Sequence, residues 1–457
     1  MRKKNILKLT ILTALFSCSL LFSGCSILKE RKENYKINLE VWGVFDDSDF
    51  LYDLNKQFKK INPNVDSVKY KKIANNLVDY EEELTDAIAA GNGPDVFFFN
   101  NNWLSEHQNK ISPLPNSSQE MSTFKSNFVD VAHEDFVKDG NIYAMPLYCD
   151  TLALFYNKDI FNQEGITQPP RTWGDVIEYT KKLTEFDSSG DIEQSAIAMG
   201  RSKKPGGVNR SSDILTLLLM QSGVDIYNKD RERTSFANQE ASENVLNFYT
   251  QFSMADSKAY TWNSEMDYSI DSFRYGKTAM MINYSYWKKD LQKKEPKLNF
   301  ATSPVPQHDL DNKVNFPNYW GLAVVKNKVL QPSSRNEEVN YTNQDRINLA
   351  WEYIKYATQN PTGKEYASSL EFDPNKKYLE TSQKPAARKD LIEEQKNDTF
   401  IGDFAVQALT AKSWNQPKNL AVEEILVNMI DEVVSGKKTS QEALRSAQSR
   451  INALEKN

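Results

Sequence analysis

Between residues 37 and 99 the hydrophobic pattern switches period repeatedly, and that alternation restricts the chain to helices packed on a sheet. Ile37-Asn38-Leu39-Glu40-Val41-Trp42-Gly43 alternates apolar and polar side chains, as a strand does. Phe50, Leu51, Leu54 and Phe58 then recur at helical spacing over 50–60. Alternation returns around Val68, Tyr70 and Ile73, and helical character follows over 81–90, ending at Gly91. Pro94-Asp95-Val96-Phe97-Phe98-Phe99 is a short continuous apolar run, the kind buried on both faces of a parallel sheet. This β-α-β-α-β order predicts an α/β fold with right-handed crossovers.

Further along, the pattern predicts strands over 142–146, 152–156, 278–283 and 322–325. Helices are predicted over 173–183, 211–221, 239–252 and 349–357. Thr439-Ser440-Gln441-Glu442 is a capping box that opens a last helix running to about 454. The 457 residues exceed what a single hydrophobic core usually supports, so two lobes are expected.

The first residues belong to no lobe. Arg2, Lys3, Lys4 and Lys8 precede an apolar run from Ile6 to Phe22, the layout of a signal sequence. Ser23-Gly24-Cys25 ends it and resembles a bacterial lipobox, with Phe22 where leucine is usual. That resemblance implies lipidation of Cys25 and a chain tethered to a membrane on its extracytoplasmic face. Residues 26–36 are charged and aperiodic and read as the flexible tether.

Composition excludes several classes of function. The segment 1–24 carries four basic and no acidic residues, so its removal takes the net charge from −6 to −10. Phosphate-backbone binding needs clustered Lys and Arg, so no nucleic-acid partner is expected. The cysteines are Cys18, Cys25 and Cys149, which leaves Cys149 without an intramolecular partner once Cys25 is lipidated. His107, His133 and His308 are widely spaced and fit no zinc motif, so no metal is expected. Asp187-Ser188-Ser189-Gly190-Asp191-Ile192-Glu193 resembles part of a calcium loop but lacks its sixth-position glycine and twelfth-position acid, and reads as a surface turn. No cofactor motif is present, and neither a G-x-S-x-G nor a phosphate loop supports catalysis. By contrast, 8 Trp, 21 Tyr and 23 Phe suit a carbohydrate site, where apolar C–H faces of sugars stack on rings.

Seven segments, in order, resemble the family 1 extracellular solute-binding proteins of ABC importers. They begin with Gly93-Pro94-Asp95-Val96 and Tyr143-Ala144-Met145-Pro146. Phe155-Tyr156-Asn157-Lys158-Asp159-Ile160-Phe161, with Gly165-Ile166, Pro169-Pro170 and Thr172-Trp173 after it, comes next. Phe273, Tyr275-Gly276-Lys277-Thr278-Ala279-Met280, Ser303-Pro304-Val305-Pro306, Gly321-Leu322-Ala323-Val324 and Ser435-Gly436-Lys437-Lys438-Thr439 complete the series. The resemblance implies a two-lobe periplasmic-binding-protein fold with discontinuous lobes and a hinge of two or three crossovers. It divides the chain into a signal peptide (1–24), a lipidated tether (25–36), lobe 1 (37–149 and 323–380) and lobe 2 (150–322 and 381–457). A monomer is expected, with the membrane subunits of an importer as partners.

The same resemblance implies where a ligand would sit. The loop following Trp42, with Phe45 and Asp46, matches a polar ligand-contacting loop, and Asp46 is the favoured hydroxyl acceptor. Phe99, Asn100, Asn102 and Trp103 fall at the tip of the next strand. Relatives carry an acid and a basic residue where Asn102 and Trp103 stand, so a maltose preference does not transfer. Asp150 falls at a lobe crossover, Tyr286 and Trp287 at a stacking position, Trp320 at another crossover, and Trp414 in a region that often lines the cleft. The expected function is capture of a carbohydrate, an oligosaccharide above all, for import. The alternatives are a glycerol-phosphate-type ester, drawn by Arg201, Lys203, Lys204 and Arg210, or a sensor or adhesin module without transport.

Overall fold

The computed structural model describes residues 35–204, 206–228, 233–332 and 338–455. Cys25, the expected signal peptide and most of the tether lie outside them.

Two open sheets organise the chain. In the first, the spatial order is Val65–Ala74, Ile37–Val44, Val96–Asn100, Trp320–Val325 and Ile111–Ser112, and Ala144–Pro146 also pairs with Trp320–Val325. Ile37–Val44 runs parallel to both its neighbours, as the β-α-β-α-β pattern requires. Trp320–Val325 runs antiparallel to all three of its own. Every residue of Val96–Asn100 and of Trp320–Val325 is buried, which explains their unbroken apolar character. Gly321 is required where strands crowd, because a Cβ there would lie 2.6 Å from the carbonyl oxygen of Met145. The second sheet runs Glu185–Phe186, Ile192–Ile197, Thr278–Asn283, Ala153–Asn157, Phe300–Pro304. Gly276, with φ of 71°, makes the turn into its wholly buried strand Thr278–Asn283.

Helices cover the sheets with their apolar stripes inward. Asp49–Ile61 buries Leu51, Leu54 and Phe58, and Phe58 meets Tyr353 and Tyr356 of helix Asn343–Thr358 at 5.2 and 5.1 Å between ring centroids. Capping boxes start helices Trp173–Leu183 (Thr172 with Asp175), Asn343–Thr358 (Thr342 with Asp345) and Ser440–Leu454 (Thr439 with Glu442). In the Asp187 turn, the carboxylate accepts from the amides of Ser189 and Asp191 and closes the hairpin between Glu185–Phe186 and Ile192–Ile197.

Each sheet has its own hydrophobic core, and the chain passes between them at three places. Cys149 lies in the first core and Leu152 in the second; Phe316 lies in the second and Tyr319 in the first; Ile392 lies in the first and Phe404 in the second, with Ala408 and Ala411 touching the first core again before Trp414 settles in the second. The first two crossings pair as a short antiparallel ribbon, Asp150–Thr151 with Pro317–Asn318. The lobe edges therefore differ from those expected. Trp320 and Leu322 pair along Val96–Asn100, so the second crossing precedes 320 instead of following 322. Ala386, Ala387, Leu391 and Ile392 pack in the first core, so lobe 1 continues past 380.

Candidate functional site: the interlobe cleft

The lobe 1 wall is built on the loop leaving Ile37–Val44. Phe45 adopts a left-handed backbone, φ 67°, which turns its ring outward. The ring is 47% exposed and meets Trp320 edge-on, 6.1 Å between centroids. Asp46, next to it, is buried. Its two carboxylate oxygens accept from the Lys384 ammonium at 2.5 and 2.7 Å, and Oδ2 also accepts from the Tyr378 hydroxyl at 2.6 Å. Lys384 Nζ lies 4.3 Å from the centroid of the Tyr148 ring.

The lobe 2 wall starts at the first crossing. Asp150 accepts from the Ser285 amide at 3.0 Å, the Ser285 hydroxyl at 2.8 Å and the Thr151 amide at 2.9 Å. Burial pushes its carboxyl up to about 7, against the pull of the Ser285 and Thr151 hydrogen bonds and of Lys384. Tyr148 feels both walls: burial raises its phenol first, then the charges of Asp46 and Asp150. The Tyr286 ring is 53% exposed and stacks on Tyr284 at 6.1 Å and 19°. Beneath it, Arg210 donates to Asp213 at 2.9 Å and lies 5.0 Å from the Tyr284 centroid, while the Tyr284 hydroxyl donates to Asp213 at 2.7 Å.

Contacts run between the walls. Lys289 of helix Tyr286–Lys294 sits 5.9 Å from the Phe50 ring of lobe 1. Ser105 of lobe 1 hydrogen-bonds the side chain of Asn415, and Ser413 donates to Asp135. The segment holding Ser413 and Asn415 is anchored in the second core by Trp414, whose ring lies 5.9 Å from Tyr227.

The site residues expected from sequence divide accordingly. Phe45 and Tyr286 present rings to solvent, Trp320 backs Phe45, and Asp46 and Asp150 are buried. Trp287 is half-buried against the second core beside Tyr286, and Trp414 holds the crossing segment. Three others are corrected. Trp103 has no exposed surface, stacks on Tyr80 at 5.9 Å and meets Trp320 at 5.3 Å. Phe99 is equally enclosed, by Phe97, Trp103 and Phe136. Both complete the lobe 1 core: Phe99 belongs to a strand whose five residues are all buried, and Trp103, in the turn that follows it, packs on the same core. Trp42 bonds Glu40 through its indole N–H and lines a hollow with Asp79, Glu82, Glu83 and Asp86, on the side of helix Leu77–Ala89. Asn100 has a local role: its Oδ1 accepts from the Asn102 amide at 3.1 Å and shapes the turn, while Asn102 stays half-buried.

Sequence reading missed Tyr148, Tyr378, Lys384, Ser285 and Asp213 as members of this cluster, and named Arg210 only as part of a basic loop. Tyr148 was within reach as an aromatic two residues before Asp150 at a crossover. Lys384 carries no local signal, since it meets Asp46 from 338 positions away. Glu81, Glu106 and His107 bring ligand atoms within 4.8 Å of one another, but both His107 ring nitrogens are engaged, by Glu81 at 2.9 Å and the Lys110 ammonium at 2.8 Å. A cation of the chain thus already serves that cluster.

Known proteins share this architecture. The maltodextrin-binding protein of Bacillus subtilis is 25% identical over 420 residues, covering 90% of this chain and 87% of that one. A binding protein of Brucella abortus is 21% identical over 89% of both chains. Among solved structures, the sugar-binding protein of Xanthomonas citri superposes with a TM-score of 0.71 at 17% identity, covering 92% of this chain and 98% of that one. The cyclic α-maltosyl-1,6-maltose binding protein of Arthrobacter globiformis gives 0.68 at 16% identity, with 92% and 100% covered. The sequence profile of bacterial extracellular solute-binding proteins matches residues 45–364, and the chain belongs to that family.

Proposed function

We propose that this protein captures a neutral oligosaccharide between its lobes and delivers it to the membrane subunits of an ABC importer. Membership of its family makes it a binding protein and not an enzyme. The observation that carries the carbohydrate reading is the pair of half-exposed rings, Phe45 on one lobe and Tyr286 on the other, each beside a buried carboxylate tied by hydrogen bonds, Asp46 and Asp150. Sugar C–H faces stack on such rings, and fixed polar groups meet the hydroxyls. Closure about a bound sugar would exclude water and strengthen those polar contacts.

Three of the four cations expected to draw a phosphate ester are already paired, and only Arg201 has no ion pair among the described residues. Lys384 is paired with Asp46, Arg210 with Asp213, Lys203 with Glu423 and Lys204 with Asp431. A phosphate would have to displace a carboxylate to reach any of them. The maltodextrin-binding relative supports an α-glucan as the first class to test.

Tethering through a lipidated Cys25 and action as a monomer on the extracytoplasmic face complete the proposal. Among the described residues no helix is long and apolar enough to cross a membrane.

Thermal-shift titration with maltodextrins, other neutral oligosaccharides and glycerol phosphates tests this reading. A ligand that binds only the folded state raises the melting temperature by mass action. A rise with a neutral oligosaccharide is expected; a rise with phosphate esters alone overturns the carbohydrate reading.

A further inference from the structure

Asp135 lies at the end of helix Asp130–Phe136 in lobe 1, buried, and collects donors from three separate segments. The Tyr319 hydroxyl donates to Oδ2 at 2.6 Å from the second crossing, Asn101 Nδ2 donates to the same oxygen at 3.3 Å from the tip of Val96–Asn100, and Ser413 donates to Oδ1 from the segment after the third crossing. That segment, 411–416, also pairs with the second crossing through the Lys412 amide and the Asn315 carbonyl at 2.9 Å. It carries Trp414, which packs in lobe 2, and Asn415, which meets Ser105 of lobe 1.

We infer that Asp135 is a positioning residue of the cleft: beside Ala411 in the lobe 1 core and the Ser105–Asn415 contact, it is a further point at which lobe 1 holds segment 411–416, and its ionisation sets how firmly that segment is held. The inference rests on the two-lobe fold and does not depend on which solute fills the cleft.

The argument turns on what the carboxyl lacks. Its hydrogen-bond partners are all neutral, and its charged or titratable neighbours are Glu134 on its own helix, Cys149 at the first crossing and Tyr319 at the second. No lysine or arginine pairs with it among the described residues. An asparagine would serve a purely structural knot at less cost, since a buried charge without a cation is unfavourable. With the segment in place, burial pushes the carboxyl up to about 7, although the Ser413, Tyr319 and Asn101 hydrogen bonds pull it down. If the segment swings away, water reaches the carboxyl and its pKa returns towards the ordinary range near ~4. The held form therefore binds the proton more tightly. Holding is strongest below the lower of these pKa values and is lost as pH rises through the higher one. Between pH 6 and pH 8 the hold weakens about tenfold.

Hydrogen–deuterium exchange of the full chain without any sugar, at pH 6 and pH 8 and normalised for intrinsic exchange rates, tests this. Amides of 412–416 should lose about tenfold in protection on going to pH 8. Asp135→Asn should keep their protection and abolish the pH difference. Ser413→Ala leaves the carboxyl and both cores intact and should lower protection at both pH values. Equal wild-type protection at the two pH values overturns the inference, as does an undiminished pH difference in Asp135→Asn. Should Asp135→Asn not fold, unchanged protection in Ser413→Ala overturns it instead. Because no sugar is present, failure here leaves the carbohydrate reading standing.

Discussion

Lys384 places its ammonium 2.5 and 2.7 Å from the two carboxylate oxygens of Asp46, and the Tyr378 hydroxyl completes the knot at 3.0 Å from the same nitrogen. The pair is largely withdrawn from water, so breaking one half costs more than deleting both. Lys384→Met should destabilise the protein by about 3–5 kcal/mol, because Asp46 is left buried and uncompensated. Adding Asp46→Asn should recover much of that loss. Urea unfolding of the two single variants and the double variant measures the coupling directly.

The exposed rings should separate binding from stability. Phe45→Ala and Tyr286→Ala remove surface that is about half in contact with water. Each is expected to weaken oligosaccharide affinity by about 10- to 100-fold, with unfolding free energy changed by less than about 1 kcal/mol. Trp103→Ala should do the reverse, costing about 3–5 kcal/mol of stability through a core cavity. Calorimetric titration and denaturant melts on the three variants check the contrast.

Stability should fall as the solution becomes less acidic. Asp150 has a folded-state carboxyl near about 7, well above its unfolded range. The folded state therefore binds the extra proton, and the resulting stabilisation is complete below the unfolded pKa and lost as pH rises through 7. Asp150→Asn should remove its share of that fall and leave the share of Asp135, whose buried carboxyl is also pushed up to about 7. Melting temperatures recorded from pH 4 to pH 8 for both proteins read the effect.

Cys25→Ala should release the chain from the membrane. With the cysteine intact, the protein should fractionate with membranes and label with a fatty-acid probe. With alanine it should do neither, while the purified chain melts as wild type. Persistence in the membrane fraction after the substitution would point to the apolar run 6–22 as an uncleaved anchor.

The fold was legible wherever one segment carried its own pattern. Ile37–Val44 and Val96–Asn100 were read within two residues because the first alternates and the second is almost wholly apolar, and Val65–Ala74 was placed by the alternation about Val68 and Tyr70. Helix Asn419–Val434 was not read, although Val422, Ile425, Leu426, Met429, Ile430 and Val433 recur at the spacing of one buried helix face. Of the residues expected at the site, those on a crossover or loop, Phe45, Asp46, Asp150 and Tyr286, are the ones left exposed or tied into the polar cluster. The site was illegible for Lys384 and Tyr378, whose roles exist only through contacts more than 300 residues away in sequence. Trp103 and Phe99 misled because an aromatic at a strand tip looks the same whether it faces a cleft or closes a core.

The strand Trp320–Val325 fills the middle of the first sheet, between Val96–Asn100 and Ile111–Ser112. Its neighbours are synthesised some two hundred residues earlier, and all of lobe 2's sheet lies in the interval. At ribosomal speeds of about 5–20 residues per second, the amino-terminal half waits roughly 10–40 s with an unpaired gap in its sheet. Neither lobe can be finished as the chain emerges, and a piece cut anywhere before residue 325 should not fold as lobe 1. The interleaving that builds a cleft between two bodies also keeps the nascent polypeptide open and threadable until most of it has been made.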